Sequence, residues 1–448
     1  MTNGNDRLNM LEDLINMAHA AGADAADALF AEGVSFSLAC RLGVTEQLER
    51  SEGADLGLRV FKGNRQAIVS SSDVSPDALK ELVSRAVAMA AAVPEDPFCG
   101  IADAGQIMSG AAEDLDMSEP GEPTADTLKD RALEAEDAAR AVDGVSNTEG
   151  AEASWSRSSI ALAASNGFRG TRDGTRSGLS VSVLAGEGTA MERDYDYASA
   201  VYSADLPTAA DLGTRAGEQT VARLNPRKVG SAHVPVVYSP RVSGSILGHL
   251  SSAINGASIA RGTSFLKDRM GERIFPEAIS IIDDPLRQRG LRSKAFDGEG
   301  LPTGRCAIID CGELKTWILN LRNARQLNLS PTGHASRGTS SPPGAGVTNF
   351  YMQAGELSPA ELMSDIDQGL LVTEMIGHGI NYVTGDYSRG ATGFWIENGQ
   401  PVYPVSEITI AGNLNDMFAN ITAANDLQFR YGTDAPTLRV DGMTIAGK

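Results

Sequence analysis

From residue 234 to the end of the chain, apolar residues come in short runs bounded by turn residues, and this spacing most restricts the fold. The runs cover 234–238, 279–282, 306–309, 316–319, 370–373, 393–396, 407–410 and 438–440. Runs of this length, closed off by Gly, Pro, Asn or Asp, read as strands. Many short strands at modest spacing predict a sandwich or a barrel-like domain. Asn398-Gly399 is a hairpin signal within this part. Only two helical patterns interrupt it, near 241–256 and 412–423. Glycine supplies 48 of 448 residues, above the usual share of about 7%, which suits hairpins and loops better than a helical bundle. Residues 331–346, rich in Gly, Pro, Ser and Thr, read as a low-complexity loop. No repeat with a period of about 20–50 residues is present.

The first half mixes both periods. Leu8, Leu11, Leu14, Ile15 and Ala18 recur at three and four, which predicts a helix over 6–29. Val34, Phe36 and Leu38 alternate with serines, and Leu56, Leu58 and Val60 alternate likewise. Gly63-Asn64 reads as a turn before a strand over 67–70. Ser75-Pro76-Asp77 opens a helix whose stripe is Leu79, Leu82, Val83, Ala86 and Ala90. Residues 94–123, with four prolines and several acids, read as a linker or long surface loop. Beyond it come a helix over 125–142, strands at 159–164 and 178–184 around Asn166-Gly167, and a helix near 208–224. The expected organisation is an N-terminal α/β domain over 1–93, a middle α+β region over 94–226 and a β-rich C-terminal domain over 227–448. The fold class is α+β.

Charge narrows the partners. Lys and Arg total 38 and Asp and Glu 58, a formal charge of −20. Such a surface repels polyphosphates, so no nucleic-acid partner is expected. The stretch Met1 to Asp6 is polar, with no basic and then apolar leader, and the longest apolar stretch, 86–93, has eight residues. A bilayer span needs about 20, so no membrane partner is expected either. Cys40, Cys99, Cys306 and Cys311 form no CxxC pair, which points to reduced thiols in the cytoplasm.

Chemical motifs are sparse. The chain has no P-loop and no G-x-S-x-G elbow. The histidines, His19, His233, His249, His334 and His378, are too scattered for a zinc pair such as H-E-x-x-H. His249 lies on the 241–256 helix without a carboxylate nearby and reads as a packing residue. The densest segment is 369–414. There Asp386, Tyr387, Ser388 and Arg389 read as a loop between strands, facing a peptide or a partner.

The same segment carries a resemblance. It runs Leu371-Val-Thr-Glu-Met, Gly385-Asp-Tyr-Ser-Arg-Gly-Ala, Gly393-Phe-Trp-Ile-Glu-Asn-Gly and Tyr403-Pro-Val-Ser-Glu-Ile-Thr-Ile-Ala-Gly-Asn-Leu. Ser51-Glu-Gly, Gly57-Leu-Arg-Val-Phe, Arg261-Gly-Thr-Ser-Phe-Leu-Lys, Asp297-Gly-Glu-Gly-Leu-Pro-Thr and Asn425-Asp-Leu agree with it. Over essentially its whole length the chain resembles the TldD/PmbA metallopeptidase family. The resemblance implies a cytoplasmic heterodimer of a TldD-like and a TldE-like subunit, acting on unfolded or linear peptides. It implies zinc in the TldD-like partner, held by H-E-x-x-x-H on a helix and a later cysteine. The window falls here on Leu247-Gly248-His249-Leu250-Ser251-Ser252. Leu247, Gly248 and Ser252 replace the two histidines and the glutamate, and no cysteine follows Asn425. No metal, no cofactor and no catalytic residue is therefore expected in this chain, and the isolated chain is expected to be inactive, free to pair with itself. Two alternatives stay open: a self-sufficient hydrolase with an unrecognised site, and a non-proteolytic peptide-binding scaffold.

Overall fold

The computed structural model describes residues 4–447. Of the polar N-terminal stretch, residues 1–3 lie outside the described residues, and Gly4 already belongs to the first helix. That helix, α1 (Gly4–Ala20), buries Leu8, Leu11, Leu14, Ile15 and Ala18 as the period requires. It stops well short of residue 29, because Gly22 takes a φ of +98° that breaks the helix. Alanines 25, 26 and 28 read as helical by propensity, yet they open strand β1 (Ala25–Arg41). Cross-strand pairing, with Ala26 opposite Val60, overrides that propensity.

The strands β1, β2 (Val44–Lys62), β3 (Arg65–Ser71), β4 (Val145–Ala164), β5 (Arg169–Ala185) and β6 (Glu192–Ala200) form one antiparallel sheet in the order β3-β2-β1-β4-β5-β6. This sheet runs across position 93, because β1 and β4 pair from Asp27–Ala164 to Cys40–Ala151. Period-2 alternation assigns its faces. On β1, Ala26, Ala28 and Phe30 pack against α1 and α2 (Pro76–Ala92). Phe36, Leu38 and Cys40, on the same face, pack against α3 (Ala125–Arg140) and α4 (Ala209–Ala222). Thr124 and Thr208 cap these two helices, each accepting a backbone N–H at 3.1 Å. The opposite face carries Leu29 and Leu162, which meet Phe296 of the C-terminal region.

The C-terminal region is built on a closed barrel of β7 (Ala232–Tyr238), β8 (Gln368–Ile380), β9 (Asp386–Glu397), β10 (Gln400–Asn413) and β11 (Leu438–Ala446). β7 and β8 run parallel, the other pairs antiparallel, and pairing of Thr409 with Ala446 between β10 and β11 completes the ring. Closure leaves no free edge among these strands. A second sheet of five short strands joins 281–283, 306–310, 313–314, 350–352 and 433–434. Helix α5 (Pro240–Ala253) shares one core with both sheets through Ile246, Leu247 and Leu250. No helix among the described residues is long and apolar enough to cross a membrane.

Several expectations give way here. Residues 316–319 form no strand, only an isolated bridge from Ile318 to Asn255, although Trp317, Ile318 and Leu319 are buried. The helix over 241–256 stops at Ala253, and Asn255 caps a separate short helix. The helix near 412–423 shrinks to Leu414–Ala419, because Gly412 and Asn413 finish β10 and Ile421–Ala423 pairs with β11. The stretch 331–346 is no passive loop. Ala335–Ser336 pairs with Gly344–Ala345, and Arg337 and Thr339 reach Asp27 and Asp55 of the first sheet.

Candidate functional site

Helix α5 starts at Ser239-Pro240, where proline occupies the first turn. Its period places Leu247 and Leu250 wholly within the core. Leu247 is therefore an aliphatic packing residue and offers no donor atom. Gly248 lies on the opposite side, where an added Cβ would meet nothing within 4 Å. Ser252 turns its hydroxyl back on the helix and donates to the Gly248 carbonyl at 3.0 Å. At the positions that the family resemblance assigns to zinc, these residues do not fit the ion: one is apolar, one has no side chain and one is spent on its own helix. Among the described residues, no group of three or more His, Cys, Asp or Glu stands close enough to hold a metal ion.

The fold brings other residues around that helix. His249 is buried, and its Nδ1 lies 3.0 Å from the Tyr382 hydroxyl. Its ring meets Tyr387 edge-on at 5.6 Å between centroids. Burial, and then the positive charges of Arg389 and His378, pull the imidazole down to about 4, so it is neutral at pH 7. Thus His378, 129 positions later in the chain, acts on His249.

Asp386, Tyr387, Ser388 and Arg389 are not a loop. They are the first four residues of β9 and pair with Asn413, Gly412, Ala411 and Ile410. The two glycines flanking them have separate uses. Gly385 makes the preceding turn with φ +86°, whereas Gly390 sits inside the strand. Alternation splits the four between two faces. Asp386 and Ser388 are exposed. Asp386 accepts from the Thr384 hydroxyl at 2.6 Å and from Asn413 Nδ2 at 3.2 Å, which fastens the turn, and among the described residues it pairs with no arginine. Tyr387 is buried, its hydroxyl 3.3 Å from Met375 Sδ. Arg389 has a buried Nε without a hydrogen-bond partner.

Arg389 lines a cavity of about 340 Å³ together with Tyr195, Tyr197, Tyr431, Arg241 and Glu374. This cavity separates the first sheet from the barrel. Its carboxylates are committed. Glu374 Oε2 lies 2.7 Å from Arg223 Nη2, and Asp194 binds Arg241 at 2.7 Å and Arg223 at 3.3 Å. The Arg241 guanidinium stacks 4.0 Å over the Tyr195 ring. The arrangement offers aromatic faces and fixed cations, with Glu374 committed to Arg223.

Three family models match in register with the chain. The PmbA/TldA metallopeptidase domain 1 covers residues 26–90, the central domain 118–224 and the C-terminal domain 231–447. Metalloprotease PmbA of Escherichia coli O157:H7 is 37% identical over 428 residues, 95% of this chain and 93% of that protein. The chain belongs to the PmbA/TldA metallopeptidase family. A crystal structure of a putative modulator of DNA gyrase from Bacteroides thetaiotaomicron superposes with a TM-score of 0.91 at 26% identity, covering 100% of both chains. TldE from Thermococcus kodakarensis shares the fold, with a TM-score of 0.86 at 20% identity over 98% of this chain and 100% of that one.

Within this family frame, Tyr382, the hydrogen-bond neighbour of His249, is a candidate that sequence reasoning passed over. His378 was visible in Gly377-His378-Gly379 but had no neighbour in sequence. The cue was its position on β8, which closes next to β9.

Proposed function

We propose that this chain is the non-catalytic subunit of a cytoplasmic, heterodimeric TldD/TldE-type peptidase, and that zinc and catalysis belong to a TldD-like partner. One observation carries this reading: at the α5 positions that the resemblance aligns with the zinc ligands and the base stand Leu247, Gly248 and Ser252, with Leu247 sealed in the core. Without ligands nothing lowers the pKa of a bound water, and without the acid nothing removes its proton.

The subunit's task is to enclose a cavity and guide an extended peptide. Two features support this. The cavity beside Arg389 presents tyrosines and arginines. And β2 is paired by β3 only over Leu56–Lys62, so its stretch 44–54 is an open sheet edge, beside exposed Leu42, Val44 and Leu48. Such an edge takes a strand from a partner or a peptide through backbone hydrogen bonds.

Purification of this chain with and without a TldD-like subunit tests the reading. The mixture should cleave an unfolded peptide, lose that activity to a chelator, and have zinc only in the partner. Equal cleavage by this chain alone, or stoichiometric zinc in it, would establish a self-sufficient hydrolase. Undiminished activity of the partner alone would leave a scaffold.

A further inference from the structure

A cleft of about 770 Å³ opens between the uncovered face of the first sheet and residues 291–296 of the C-terminal region. Its inner end narrows to about 200 Å³ under the 331–346 segment. Leu29, Ile160, Leu162 and Phe296 supply the apolar part of its walls. Four cations line this inner end: Arg292 is engaged by the Thr433 hydroxyl at 3.2 Å, and the other three are Arg172, Lys294 and Arg337.

None of the three is fully matched. The side chain of Arg172, on the cleft face of β5, makes no hydrogen bond or ion pair among the described residues and feels the more distant charge of Asp297. Arg337 has a side chain with 0% exposure and gives one nitrogen to Asp27. Its Nε and Nη2 are buried without partners. Lys294 spends one proton on the Ala335 carbonyl at 3.0 Å. Burial, and then the charge of Arg172, pulls its ammonium down to about 8, against the opposing pull of Asp297 and Asp283.

The carboxylate that lines the same space is already satisfied. Asp297 accepts the backbone N–H groups of Glu299, Leu301 and Ala335 at 2.8, 3.0 and 3.0 Å. Asp283 is likewise held by Thr348, through its N–H and its hydroxyl, both at 2.7 Å. In a chain of net charge −20, three cations gathered in one narrow recess are costly unless something negative joins them. Guanidinium and ammonium groups together suit an oxygen anion, which accepts several hydrogen bonds at once.

We propose that the inner end of this cleft binds a compact oxyanion, a carboxylate or a phosphate, through Arg172, Lys294 and Arg337. The carboxylate would come from the C-terminus of a linear peptide lying along the outer cleft, the phosphate from free solution. The site stands on these residues alone and is independent of the assignment of catalysis to a partner.

Calorimetric titration of the full chain tests it with three probes: N-acetyl-trialanine, its C-terminal amide and inorganic phosphate. The peptide acid or phosphate binds, and the amide binds at least tenfold more weakly than the acid. Arg172→Gln and Lys294→Gln each weaken the bound anion at least tenfold. Arg172→Gln does so without lowering Tm, since the Arg172 side chain holds no hydrogen bond or ion pair that the change would break. Tighter binding of the acid assigns a peptide carboxylate, and tighter binding of phosphate assigns the free ion. Failure of both anions to bind, equal binding of acid and amide without phosphate binding, or unchanged affinity in Arg172→Gln overturns the site.

Discussion

Arg59 stands directly opposite Asp27 on the neighbouring strand and donates from Nε to its carboxylate at 2.9 Å, with both residues 3% exposed. The other oxygen of Asp27 takes Arg337, 310 positions away in the chain. Glu299 lies 4.0 Å from Arg59 and also accepts the Leu321 N–H at 2.8 Å. Asp27 and its partner Arg59 together therefore tie the first sheet to two segments of the C-terminal region, through Arg337 and Glu299. This tie also explains why Gly57-Leu-Arg-Val-Phe and Asp297-Gly-Glu-Gly, distant in sequence, form a single feature of the molecule.

Asp27→Ala should be among the most destabilising single changes in this network. It strips two buried guanidinium groups of their shared acceptor. Breaking a buried pair in this way costs about 3–5 kcal/mol. Urea unfolding of the variant should show a loss in that range, and a loss below about 1 kcal/mol would mean that water reaches the pair.

Gly57→Ala should also damage the junction, for a steric reason. A Cβ at residue 57 would stand 2.0 Å from the Thr339 carbonyl oxygen. Backbone cannot yield as a flexible side chain does, so the 331–346 segment must lift from β2. We expect a loss of about 1–3 kcal/mol, the usual cost of overpacking, together with faster proteolysis within 331–346. Wild-type resistance to proteolysis in the variant would contradict the contact.

Local pattern made the strands legible and left their partners hidden. Alternation at Phe36–Leu38 and Leu56–Val60, and Pro76 at a helix start, depend on neighbours in sequence, and the fold follows them. The pairing of β1 with β4 and the closure of β10 on β11 depend on contacts across long stretches of chain, which periodicity does not encode. The same limit hid the site. Arg337 sits in a segment that composition marks as bland, and its role exists only because Asp27 waits on β1. Asp386–Arg389 directly follows the Gly385 turn, and only its pairing with Ile410–Asn413 across the sheet, which local sequence does not encode, makes it strand.

His249 should set an acid limb to stability. Its imidazole is held near 4 by burial and by Arg389 and His378, against an ordinary value of about 6.5. The unfolded chain therefore binds a proton that the folded chain refuses. Stability is full above about pH 6.5 and declines as pH falls toward 4. Between pH 7 and 5 this group accounts for about 2 kcal/mol. His249→Asn should flatten that part of the curve by about this amount. An unchanged slope would place the titration elsewhere.

His334 should act in the opposite direction. Burial alone would lower it, but Asp283, whose Oδ2 lies 3.2 Å from His334 Nε2, and the adjoining Cys306 outweigh burial and raise it to about 9. The folded chain thus holds a proton that the unfolded chain releases near pH 6.5. The stabilisation is complete below that point and disappears as pH rises through 9. From pH 7 to 9 the loss is about 2 kcal/mol. Lys294, held near 8, works against this trend above pH 8, because there the unfolded chain keeps the proton that Lys294 gives up. The comparison must therefore be between wild type and His334→Gln, in which Lys294 is common to both. Denaturation midpoints at pH 7 and 9 should converge for the two proteins as the pH rises, with wild type ahead only at pH 7. A gap that stays constant across this range would show that His334 is neutral in the folded chain and that Asp283 is held by Thr348 alone.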